Sequence, residues 1–208
     1  LLPTRWKELE LTYLFLISLA LSLVYSFYFQ ITPLVDAMAY DRIAWNLVKG
    51  DGYKENADLS YEEDIAILRV GPGYQFFLAG IYFIFGRSYE IVWVINAFLH
   101  ALTALFVYFL SKEVMRENWN SLAGFVAAAL VGFSPDLITM SGMLMTETLA
   151  IFLITLSVFL FFKYANDLAP GVFSLIFLAF IFGAAVLTRT TAILMVLPLL
   201  YLHKTHHL

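Results

Sequence analysis

Long apolar runs separated by short polar breaks dominate the chain, and only one break is long. Runs at 9–30, 89–111, 119–134, 143–163, 171–187 and 190–203 each predict a transmembrane helix. Roughly 20 apolar residues rising 1.5 Å apiece cross a hydrocarbon core of about 30 Å. A further run, 73–85, is too short for that and reaches only about 20 Å. Gly71, Pro72 and Gly73 bound it on one side and Gly86 on the other. It is expected to lie along the membrane surface, which gives six spans; were it to cross, there would be seven.

The long polar interval, 31–72, holds one more helix. Over 36–49, Tyr40, Ile43, Ala44, Leu47 and Val48 recur on one side, at the spacing of a helix face. Asp36, shortly after Pro33, stands where an N-cap is expected, and Gly50-Asp51-Gly52 ends the helix. The pattern predicts an all-α, polytopic transmembrane helix bundle, a single domain over 1–208. Its first span is 9–30, its loop 31–88 carries juxtamembrane helices 36–49 and 73–85, and the remaining spans occupy 89–203.

Composition agrees: 62% hydrophobic and 13% charged residues make lipid the bulk solvent, since soluble domains run to about 25% charged. Arg5 and Lys7 before the first span place the N-terminus in the cytoplasm. With 73–85 not crossing, Lys112, Arg116, Lys163 and Lys204 fall on that same side, while the acidic segment 51–64 and Glu147 fall outside. The stretch 9–29 is too long for a signal-peptide core. A net charge of −4 argues against nucleic acid, which calls for clustered cations. The absence of cysteine excludes disulfides and cysteine-ligated zinc. The chain begins without Met and ends shortly after His203, His206 and His207, which reads as a piece of a longer or processed protein.

Few polar residues remain to carry chemistry, and each admits a bland reading beside a functional one. Asp36 and Tyr40, four apart, share a helix face, whereas Asp41 points about 140° away. One carboxylate can enter a site while the other is solvated or pairs with Arg42 or Lys49; equally, Asp36 is a helix cap. Arg69, ahead of Gly71-Pro72-Gly73-Tyr74, suits a lipid phosphate because its fork pairs with oxyanions, or it snorkels to ordinary headgroups. Glu147 begins an apolar helix and either faces a partner or compensates the helix dipole. Arg189, between two apolar runs, contacts phosphate or marks a turn. His100 reads as a satisfied buried histidine, since no metal spacing accompanies it. There is no phosphate-binding glycine loop, no Gly-x-Ser-x-Gly elbow and no His-Glu-x-x-His.

In order along the chain stand Asp36-Ala-Met-Ala-Tyr40, Asn46-Leu47, Gly50-Asp51-Gly52-Tyr53, Arg69 ahead of Pro72-Gly73-Tyr74, Pro135, Thr146-Glu147 and Thr188-Arg189-Thr190. Together they resemble the N-terminal half of the GT-C glycosyltransferases, most of all the dolichyl-phosphate-mannose-protein mannosyltransferases and the related aminoarabinose transferases. The sequence departs from that pattern in having both Val70 and Gly71 between the Arg and the Pro, and Gln75 where a second Pro is common. Family members also continue into further spans.

The resemblance implies a transferase that moves a sugar from a polyprenyl-phosphate donor to an acceptor hydroxyl, with inversion, on the outer side of a prokaryotic cytoplasmic membrane. It implies Asp36 as general base and Glu147 as a second catalytic acid. Tyr40, Asp41, Arg69, Tyr74 and Arg189 become the substrate-binding set. No cofactor is required by it, although Asp36, Asp41 and Glu147 leave a divalent cation open. The acceptor, whether protein, lipid or glycan, and any partner subunit or dimer are not identified. A non-catalytic subunit of similar fold and a small lipid or sugar transporter are the alternatives.

Overall fold

The computed structural model describes residues 4–68, 71–167 and 170–196, and every regular element among them is helical. The helices are α1 (Thr4–Phe29), α2 (Asp36–Lys49), α3 (Pro72–Phe85), α4 (Tyr89–Met115), α5 (Ser121–Gly132), α6 (Pro135–Ser141), α7 (Thr146–Ala165) and α8 (Val172–Thr188).

Three helices are long and apolar enough to cross a membrane: Leu9–Phe29 of α1, α4 and α7. The expected single span at 119–134 is instead broken. Asn120 caps the start of α5 by accepting from Leu122 N at 2.9 Å, and the helix stops at Gly132. It resumes at Pro135 bent by 51°, because proline cannot continue a helix but fits its first turn. Counted together, α5 and α6 make a fourth span. At 17 residues α8 is a shorter apolar helix, and α3, with 14, is shorter still, as its flanking glycines foretold. Of the expected span 190–203, the described part forms a 3-10 turn, Thr190–Met195; the rest, with His203, His206 and His207, lies outside the described residues. Among the described residues three helices, or four counting the bent pair, meet the length and composition of a span, and with the shorter apolar α3 and α8 they form the expected membrane helix bundle.

α4 is the axis of the bundle and packs against α1, α5 and α7. Small and hydroxyl residues let these helices approach, which is how helices associate where lipid is as apolar as leucine. Ser18, Ser22 and Ser26 line one face of α1 and are all fully buried. Ser18 Oγ donates to Gly132 O at 3.0 Å, and Ser22 Oγ lies 2.8 Å from His100 Nδ1. His100 Nε2 reaches Val131 O at 3.1 Å, so both ring nitrogens are satisfied and the bland reading of His100 stands.

Beyond the bundle, α2 packs on α3, and α3 packs on α8. Gly50 ends α2 in the left-handed conformation, φ 87°, with its N–H on the carbonyls of Asn46 and Leu47, a conformation that glycine adopts without penalty. The loop that follows is organised by Asp64. This buried carboxylate accepts from the backbone N–H of Glu55 at 3.0 Å, Asn56 at 2.8 Å and Ala66 at 2.7 Å.

Burial alone would raise the Asp64 pKa, but the three N–H groups outweigh it and hold the carboxyl below its ordinary value. A depressed native pKa stabilises the loop above the unfolded value, near 3.9, and that contribution fades as pH falls through the native value. Hydrogen exchange, corrected for intrinsic rates, is therefore expected to show protection of the Glu55, Asn56 and Ala66 amides falling as pH drops below about 4. Undiminished protection well below that pH would contradict this role for Asp64.

Candidate active site

α1 ends, α4 and α7 begin, and α8 ends at one end of the bundle. Phe27 stacks edge-on against Trp93 near the start of α4, and Asn96 donates to Met143 O just before α7. Asn166, after α7, meets Glu113 at the opposite end. Most of the sequence-nominated residues therefore share one end.

At that end Glu147, in the first turn of α7, pairs with Arg189, the residue that caps α8, at 2.5 Å. Thr146 Oγ1 donates to the second Glu147 oxygen at 3.3 Å. Dipole compensation alone does not describe Glu147, and Arg189 does more than mark a turn. The pair is not sealed: the Arg189 side chain is 41% exposed and that of Glu147 21%. One guanidinium N–H is bound to Glu147, and the remaining donors have no partner among the described residues.

The Gly71-Pro72-Gly73 element brings the start of α3 against the end of α8. A Cβ on Gly71 would lie 2.2 Å from Leu187 O, and one on Gly73 would lie 2.7 Å from Thr188 N. The obstructing atoms are backbone, so only glycine permits this approach. Pro72 fills the first turn of α3, where its missing N–H costs nothing. Tyr74 follows, fully buried, and its hydroxyl faces the Asn96 side chain with no close hydrogen bond among the described residues. Burial pushes that hydroxyl far above its ordinary pKa, with the nearby Glu147 carboxylate adding to the shift. Tyr74 also meets Tyr40 edge-on, ring centroids 5.7 Å apart, which joins α2 to the same end.

Asp36 lies one turn from Tyr40 and is exposed. It is the first residue of α2 and not its N-cap: Val35 holds that position, with φ 48° and no capping side chain. A β-branched residue at positive φ is strained, a local geometry that no propensity would nominate. Arg69 lies outside the described residues.

Asp41 departs from expectation. It is 1% exposed and pairs with neither Arg42 nor Lys49. Its Oδ1 accepts from Tyr82 Oη at 2.7 Å and Arg87 Nε at 3.2 Å. Its Oδ2 accepts from Arg87 Nη2 and from Tyr89 Oη at 3.1 Å. A carboxylate offers about four lone-pair sites, and all are taken, which leaves none for a substrate. The hydrogen bonds to Asp41 in turn raise the Arg87 pKa above its ordinary value. Arg87 was missed from sequence, although a cation placed between Gly86 and the α4 N-cap Ser88 was a visible signal. Among the described residues no three acidic or histidine side chains could hold a metal ion, so Asp36, Asp41 and Glu147 form no shared cation site.

Comparison with known proteins adds the family. The model of the dolichyl-phosphate-mannose-protein mannosyltransferase family matches residues 69–206, two thirds of the chain and the part that contains Tyr74, Glu147 and Arg189. No curated protein and no solved structure matches the chain. The all-helical bundle and its apolar spans are those of an integral membrane protein. The chain belongs to the dolichyl-phosphate-mannose-protein mannosyltransferase family, whose members are GT-C-type membrane glycosyltransferases.

Proposed function

We propose that the protein transfers a sugar from a polyprenyl-phosphate donor to an acceptor hydroxyl, with inversion, at the end of the bundle that carries Asp36, Glu147 and Arg189. The observation that carries this reading is the Glu147–Arg189 pair. It sits where two glycines let the backbone of α3 close on α8, so that a partly exposed guanidinium stands beside that close junction.

Asp36 acts as general base and takes the acceptor hydroxyl proton. The acceptor oxygen attacks the anomeric carbon from the face opposite the phosphate. The carbon–oxygen bond to phosphate breaks, and polyprenyl phosphate departs with its electron pair. A single displacement of this kind inverts the anomeric centre. Arg189, joined by Arg69, stabilises charge growing on the departing phosphate. Glu147 holds Arg189 in place, and Tyr40 and Tyr74 shape the wall beside Asp36. The opposite end of the bundle carries Lys112, Arg116 and Lys163, and cations mark the cytoplasmic side. The reacting end therefore faces outward, in a cytoplasmic membrane.

Arg189→Ala tests this directly. With a polyprenyl-phosphate mannose donor and membrane extract as acceptor source, kcat/KM for the donor is expected to fall about 100-fold, the usual cost of removing one transition-state donor. Arg189→Lys, which keeps the charge without the fork, is expected to recover part of it. A value for Arg189→Ala within about twofold of wild type would remove Arg189 from the phosphate site.

A further inference from the structure

α2 has a second functional face, turned away from Asp36 and Tyr40. Arg42, Trp45 and Lys49 follow one another at i, i+3 and i+7, so they line one side of the helix. Arg87 reaches the same place from the α3–α4 junction. The Trp45 ring is the hub: Lys49 Nζ lies 5.5 Å from its centroid and Arg87 Cζ 5.8 Å. Beside it opens a recess of about 350 Å³ lined by Arg42, Trp45, Asn46, Glu55, Asn56 and Arg87, within the size range of small-ligand sites.

Two cations over one indole, with Arg42 in the adjoining wall, repel one another, and the ring quadrupole offsets only part of that repulsion. Arg87 spends its charge on Asp41. Glu55, the acid in the wall, is itself engaged. Arg42 is exposed and has no acid partner among the described residues. The recess therefore presents the Arg42 guanidinium beside that of Arg87, with the Asn46 and Asn56 side chains in its wall and the Lys49 ammonium over the Trp45 ring nearby. Two planar forks beside amide side chains favour a tetrahedral oxyanion.

We infer that the recess between Arg42, Trp45 and Arg87 is a binding site for a phosphate-class anion, distinct from the Glu147–Arg189 site. Two sources present this chemistry: the headgroup of an anionic phospholipid, and phosphate free in solution. The inference does not depend on transferase activity, so it survives or fails independently of the proposed reaction.

The test reads tryptophan emission from the full chain in nanodiscs, with Trp45→Phe identifying the part due to Trp45. Inorganic phosphate is titrated in phosphatidylcholine discs at constant ionic strength against chloride, and separately the phosphatidylglycerol fraction of the discs is raised. A saturable Trp45 response to phosphate beyond that to chloride assigns a soluble anion. A response confined to phosphatidylglycerol assigns a headgroup. In either case Arg42→Gln/Lys49→Gln is expected to weaken half-saturation about tenfold, the loss of one charge-assisted hydrogen bond. Arg42→Lys is expected to retain part of the affinity. No Trp45 response to either titrant, a response matched by chloride, or an undiminished response in the double variant overturns the site. Both positions are exposed, and an unchanged helical circular dichroism spectrum verifies that the variants fold.

Discussion

Asp36→Asn is expected to abolish sugar transfer while leaving the protein folded and membrane-inserted. The asparagine keeps the size of the side chain but takes no proton at neutral pH, so the acceptor hydroxyl must attack unassisted. Losing a positioned base costs typically 100-fold to 10,000-fold. Asp36 is exposed at the first turn of α2, and asparagine keeps its size and one accepting oxygen there. Its benefit to the helix dipole is worth at most about 1 kcal/mol at the surface. Turnover per molecule should therefore collapse while expression, insertion and the unfolding midpoint in detergent stay within experimental error. Turnover within about tenfold of wild type would refute the base assignment.

Asp41→Ala is expected to act the other way round, on stability first. It strands the buried Tyr82 hydroxyl and the Arg87 guanidinium, and it unfastens α2 from the start of α4. Breaking a buried pair costs about 3–5 kcal/mol. The lower end, about 3 kcal/mol, applies here because Arg87 keeps 36% of its side-chain surface in water. Denaturant titration in mixed micelles measures this, and a change below about 0.5 kcal/mol would show that the cluster does not hold α2. Activity should fall as well, because the face bearing Asp36 and Tyr40 is no longer held. The two variants are told apart by stability: only the change at Asp41 lowers it.

The contrast between these two aspartates also marks where sequence reading runs out. The helix 36–49 was legible to the residue, and 73–85 nearly so, because Pro72 and the glycines at 50, 71, 73 and 86 punctuate the chain through backbone chemistry that is local. Pro135 announced the break after α5 in the same way, but a run of apolar residues on both sides concealed it. The partners of Asp41 lie more than 40 residues away in sequence, and no periodicity connects positions that far apart. The Ser18, Ser22, Ser26 stripe at intervals of four could have been seen, since it is the spacing of a packed helix face. The strained Val35 that moves Asp36 from cap to first turn is opposed by its own propensity, which is why it was unreadable. Of the site itself, the pairing of Glu147 with Arg189 joins two residues nominated singly. Their convergence is a tertiary fact, made by α7 packing on α8.

Photolabelling with a polyprenyl phosphate that carries a diazirine next to the phosphate tests the central claim most directly. Cross-links are expected on peptides containing Gly73-Tyr74, Glu147 and Arg189, and unlabelled polyprenyl phosphate should compete them away. Labelling that competitor does not reduce, or that falls on the Lys112–Arg116 end of the bundle, would contradict a lipid-phosphate site between α3, α7 and α8.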